Sequence, residues 1–154
     1  MKIIVYKLNN NELRIFNPNP SSKKDDETEN EWMQRLLQDN AIVPAIAIEA
    51  EIVEQSSLPS DRTFRNAWRM NSKSISTDMV HARNIHREKL RELRAQKFIA
   101  LDEQYLRADE SGDIEAKRLI ANEKQALRNV TADPAIEAAQ TAEELKAVMP
   151  DILK

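Results

Sequence analysis

Two histidines, His81 and His86, are the first candidates for chemistry in this chain of 154 residues. Five residues apart on a helix, they project about 140° from one another, so they cannot share a metal as histidines four apart can. No serine sits in a glycine-flanked elbow with a base nearby, which argues against a serine hydrolase. Carboxylates are abundant, yet none lies among the glycines and loops that would build a cleft holding a tuned acid. The expected reading is a protein that is not an enzyme, with no catalytic, metal-binding or cofactor-binding residue and no cofactor.

A second set is cationic. From Arg62 to Lys97 the chain carries Arg62, Arg65, Arg69, Lys73, Arg83, Arg87, Lys89, Arg91, Arg94 and Lys97 against Asp78, Glu88 and Glu92. Arg83, Arg87 and Arg91 repeat every fourth residue, which stacks like charges on one helix face at a cost of a few tenths (~0.2–0.5) kcal/mol per pair. Such a stripe calls for compensation. Phosphate backbone could provide it, with Phe64 and Trp68 stacking on bases. So could a protein partner, or the acidic segment from Asp25 to Glu54, which holds nine carboxylates and one arginine. A third reading is a solvated face. The expected partner-binding residues are Phe64, Arg65, Trp68, Arg83, Arg87 and Arg91, with Phe64 and Trp68 equally placed to fill a core.

The elements that must position these residues can be read from caps and periodicity. Lys2 to Lys7 and Glu12 to Phe16 read as a β-hairpin turned by Asn9, Asn10 and Asn11, and a solvated loop follows. Thr28 and Glu31 form a capping box for a helix from Glu29 to Gln38, with Trp32, Leu36 and Leu37 on one face. Between Ala45 and Val53, Ile46, Ile48, Ala50 and Ile52 alternate with Glu49 and Glu51 as in a half-buried strand. Arg62 to Met70 is ambiguous between strand and helical turn. The balance favours a loop and short turn, then a strand at Ser74 to Ser76.

Beyond Thr77 or Asp78, strong helix formers run unbroken to Glu110, about 50 Å of helix. Gly112 and Asp113 then end one helix and start another, Ile114 to about Val130, antiparallel to the first. Ile85, Leu90, Leu93, Phe98, Ile99, Leu101, Tyr105 and Leu106 are expected to face Ile114, Leu119, Ile120, Leu127 and Val130. Asp133 and Pro134 start a short helix, and Thr141 with Glu144 forms a second capping box before Pro150. The fold class is α+β: a small N-terminal antiparallel β lobe, residues 1–76, then a long antiparallel helical hairpin and short C-terminal helices, residues 77–154.

Composition narrows the function classes. Opposite charges nearly cancel, leaving a formal net charge of −3, which names no general nucleic-acid binder. The chain has no cysteine, so disulfides and thiolate metal sites are excluded. One glycine cannot build the usual phosphate-cradling loops. The opening apolar run is too short for a signal core or a membrane span, so no membrane association is expected.

Leu58 to Trp68 (Leu-Pro-Ser-Asp-Arg-Thr-Phe-Arg-Asn-Ala-Trp), Ala126 to Pro134, and Thr141 to Leu145 after it, together with Met1 to Tyr6, resemble uncharacterised proteins encoded in bacteriophage and prophage tail regions. The segment around Ala126, Leu127 and Arg128 is also similar, more weakly, to the C-terminal part of phage tail-fibre assembly chaperones, although their aromatic ending is absent here. The resemblance implies a virion tail component or an assembly factor, located in the virion tail or in host cytoplasm during assembly. It implies phage tail or fibre proteins, or a further copy in a homo-oligomer, as partners. The alternative is a nucleic-acid-binding accessory protein using segment 62–97.

Overall fold

The computed structural model describes residues 1–154 except Lys73, so the place of Lys73 in the cationic segment lies outside the described residues. The protein is α+β and divides into two compact units, Met1–Asp78 and Met79–Lys154.

In the first unit, β1 (Lys2–Leu8) lies between β2 (Leu13–Phe16) and β3 (Ala47–Glu54) in one antiparallel sheet. Asn11 takes the left-handed turn conformation between β1 and β2, with φ 64°, as its short polar side chain allows. Ile3, Ile4 and Val5 are all 0 % exposed, which explains why β1 does not alternate: both faces of the sheet are covered. Ile3, Val5 and Val53 pack with Trp68, Met70 and Ile75. Ile4 packs with Trp32, Met33 and Leu36 of α1 (Glu29–Leu37), joined by Phe16 and Ile52.

Two expectations are corrected here. Trp68 is not in a loop but begins β4 (Trp68–Asn71), paired with β5 (Ser74–Thr77) after a turn at Arg65–Ala67. Pairing Met70 with Ile75 lines up the apolar residues that cover the main sheet, and that tertiary burial decides an ambiguous segment. Ile46 and Ile48 were expected on the buried face but are 61 % and 60 % exposed. Ile46 precedes β3, and Ile48 adjoins the register shift opposite Lys7 and Leu8.

The capping box forms as expected. Thr28 Oγ1 accepts from the Glu31 amide at 3.2 Å, and the Glu31 carboxylate accepts from the Thr28 amide at 2.8 Å. The preceding loop is pinned to α1. Arg35 donates to both carboxylate oxygens of Glu27 at 2.5 and 2.8 Å and to the Ser22 carbonyl at 2.9 Å. The Arg35 bond, helped by the Lys24 amide, holds the Glu27 carboxyl down to about 2.

In the second unit, α2 (Met79–Glu110) is 32 residues long and turns at Gly112, φ 70°, into α3 (Ile114–Asn129), capped by Asp113 on the Ala116 amide at 2.9 Å. The antiparallel pairing is marked by Lys117 on Asp109 and by Lys124 on Asp102 at 2.6 Å. Two short helices follow, α4 (Pro134–Ala138) capped by Asp133 and α5 (Ala142–Ala147) capped by Thr141. The second capping box is only half formed, because the Glu144 carboxylate takes the Gln140 amide, at 2.7 Å, rather than that of Thr141.

A methyl group at Gly112 would meet nothing within 4 Å. Gly112→Ala is therefore expected to cost only the left-handed backbone penalty, about 1 kcal/mol, read as a lowered denaturation midpoint. A cost several times larger would mean that the turn is packed.

Candidate functional site

On α2 the positions Arg83, Arg87, Leu90, Arg94, Lys97, Leu101, Tyr105 and Ala108 recur at intervals of three and four and so share one face. Leu90, Leu101 and Ala108 are buried. The cations therefore belong to the packing seam itself. Near the turn, α3 closes the seam: Lys124 and Lys117 hold their ammonium groups 4.7 and 5.6 Å from the centre of the Tyr105 ring, and the Arg128 guanidinium lies 5.8 Å from that of Phe98. Both aromatic rings thus carry cations on their electron-rich faces.

Nearer the start of α2, the seam cations reach main-chain oxygens of the segment after α3. Arg94 donates to the Arg128 carbonyl at 3.0 Å, where α3 runs out of amide partners. Arg87 reaches the Thr131 carbonyl at 3.3 Å and the Glu137 carboxylate. Arg83 forks across α4, with Nε to the Ile136 carbonyl at 3.1 Å and Nη2 to the Ala139 carbonyl at 2.8 Å. His86 Nε2 bonds the Val148 carbonyl just beyond α5 at 2.8 Å, and Lys97 Nζ reaches the Ile152 carbonyl at 2.7 Å. The last carbonyls of a helix lack intrahelical donors and carry partial negative charge, so a cationic helix face alongside a run of short helix ends satisfies both.

This geometry places each expected site residue. Arg83 and Arg87, with side chains 15 % and 23 % exposed, find their compensation in carbonyls and in Glu137 of their own unit. Arg91 is off the seam, 44 % exposed and paired with Glu88 one turn away. The three arginines therefore do not form one free stripe. Phe64 and Trp68 are 2 % and 1 % exposed, Trp68 within the sheet core, while Arg65 lies at the surface. Bases cannot stack on rings buried in this way. Among the described residues, no group of three or more His, Asp or Glu could hold a metal ion, and no helix is long and apolar enough to cross a membrane.

The expected facing residues of the hairpin also need correction. Ile99 and Leu106 are 67 % and 62 % exposed, and their spacing of seven puts them together on the side of α2 opposite the seam. Ile114 and Leu119 of α3 are exposed as well. A two-helix hairpin covers one stripe of each helix, and these four fall outside it. The sequence held the signal: Phe98, Leu101, Tyr105 and Ala108 already fill one face, so Ile99 and Leu106 cannot share it. Beyond the hairpin, an open groove of about 640 Å³ is lined chiefly by Ala126, Val130, Pro134, Pro150 and Ile152.

His86 is buried and held below its usual value of 6.5, first by burial and then by the Lys89 and Arg87 charges, against the opposing bond to Val148. Its unfolded form takes up a proton at higher pH than its folded form. The corresponding stability is therefore complete above 6.5 and declines as pH falls through the lower folded value. The midpoint of thermal unfolding should drop more between pH 7.5 and pH 5 in the native chain than in His86→Asn, and equal drops would refute the assignment.

Comparison of the chain with protein-family models, with curated proteins and with solved structures gives no match.

Proposed function

We propose that this chain is a bacteriophage tail-associated structural or assembly protein that works by contact with a tail fibre, a baseplate or a neighbouring copy. The observation that carries the reading is the outer face of the hairpin. Ile99 and Leu106 stand exposed on one side of α2 while Arg83, Arg87, Arg94 and Lys97 turn the other way. An apolar pair at two-turn spacing on a rigid helix suits a helical or grooved protein surface. The resemblance of Leu58 to Trp68 and of Ala126 to Pro134 to tail-region proteins supplies the phage setting. Arg83, Arg87, Arg94 and Lys97 are engaged with carbonyls of their own unit, which leaves Arg62, Arg65, Lys89 and Arg91, among the described residues, as the exposed cations of segment 62–97 that the nucleic-acid alternative would have to rely on.

Mass spectrometry of purified virions, with co-precipitation from infected cells, tests the proposal. A chain retained in virions would be a structural component. One absent from virions but bound to fibre or baseplate protein would be an assembly factor. In either case Ile99→Lys with Leu106→Lys should remove the association and leave the circular dichroism spectrum intact. Association with no tail protein, or a complex indifferent to both substitutions, would sink it.

A further inference from the structure

The first unit carries a separate surface, the outer edge of β3. This strand lies at the sheet edge, and among the described residues no backbone hydrogen bond joins its outer side to another segment. An unpaired edge is normally blunted by proline, lysine, short length, a bulge or charged side chains; β3 runs eight residues from Ala47 to Glu54 without proline or lysine, its register shift is confined to its start at Ile48, and its charges are all acidic. Its side chains are sorted. Glu49 and Glu51 lie on one face, opposite Lys7 and Val5 of β1, and Ala50 and Ile52 on the other, opposite Tyr6 and Ile4. Neither Glu49 nor Glu51 has an ion-pair partner among the described residues, and one Glu51 carboxylate oxygen is buried without a hydrogen bond.

We propose that the β3 edge is a docking site for an extended strand of a partner protein whose side chains alternate basic and apolar. Main-chain bonds to the free edge would hold it, as in strand addition to other sheets. Its cations would meet Glu49 and Glu51, and its apolar side chains would continue the Ala50 and Ile52 face. Charge selects this occupant over a second copy. Antiparallel pairing of β3 with itself would set glutamates opposite or beside glutamates, and like charges across a strand pair repel. The inference does not rest on the tail reading, and its failure would leave that reading untouched.

The test uses the full chain with three short probe peptides: alternating lysine and valine, the same peptide with every second amide N-methylated, and alternating glutamate and valine. Fluorescence anisotropy reads binding, and NMR hydrogen exchange reads the amides of 48–53. The expected result is binding of the lysine–valine peptide with slowed exchange along β3. N-methylation should weaken binding about tenfold or more, because the main-chain bonds to the edge are lost. The double variant Glu49→Gln, Glu51→Gln should weaken it about three- to tenfold. No binding, equal binding of the N-methylated or the glutamate–valine peptide, unchanged β3 exchange, or self-association of the chain through β3 would each overturn the proposal.

Discussion

Arg83→Ala is expected to lower stability by about 2–4 kcal/mol, and Arg91→Ala by about 0.5 kcal/mol or less. The two residues are alike in type, helix and sequence neighbourhood. What separates them is what their guanidinium groups touch. Arg83 supplies the donors to the carbonyls of Ile136 and Ala139, at either end of the last turn of α4. Removing it leaves two partly buried acceptors short of a partner, and each such loss costs about 1–3 kcal/mol. Arg91 makes one exposed pair with Glu88 within the same helix, worth a few tenths of a kcal/mol at most (~0.3–0.5). Urea unfolding of both variants measures the difference. Similar losses for the two would mean that Arg83 does not stitch α4 to α2.

The second large effect is at Trp68. Its side chain is 1 % exposed and sits with Ile3, Val5, Val53, Met70 and Ile75, so Trp68→Ala should cost about 3–5 kcal/mol through the cavity left behind. Trp68→Phe separates packing from polarity. The indole Nε1 is buried without a hydrogen-bond partner among the described residues, so discarding it removes a desolvated donor. That gain offsets part of the lost volume, and a net cost of about 1 kcal/mol is expected. A Trp68→Ala protein that melts like the native chain but loses a partner would make Trp68 a contact residue instead.

Much of the fold was legible in the sequence because its signals are local. Thr28 and Glu31, Gly112 and Asp113, and Asp133 and Pro134 set element ends through bonds within a few residues, and the structure places those ends within one or two positions of the reading. Trp68–Asn71 was not legible as a strand, because its pairing with Ser74–Thr77 is chosen by burial against a sheet more than sixty residues of chain away at its first strand. The fate of Ile46 and Ile48 depended on the same long-range register. At Thr141 the motif was present but Glu144 found a nearer amide, which no spacing rule distinguishes.

The candidate site was the least legible part. Spacing of four made Arg83, Arg87 and Arg91 look like a single free stripe, whereas the packing period of three and four selects Arg83, Arg87, Arg94 and Lys97. Cationic residues at seam positions are easily taken for surface, since their partners are backbone carbonyls and carbonyls have no signature in a sequence. Once the seam is drawn through the cations, Ile99 and Leu106 fall on the exposed face of α2, among Glu88, Glu92, Glu103 and Glu110.

In the folded chain α2 turns its seam cations inward and keeps Ile99 and Leu106 exposed on the opposite side. Arginine-selective modification of the native chain by phenylglyoxal, followed residue by residue with mass spectrometry, tests it most directly. Arg91, Arg107 and Arg118, whose side chains are 44 %, 77 % and 62 % exposed, should react readily, and Arg83 and Arg87 much more slowly until the chain is unfolded. Reaction of Arg83 and Arg87 at the rate of Arg107 in the folded protein would contradict the account.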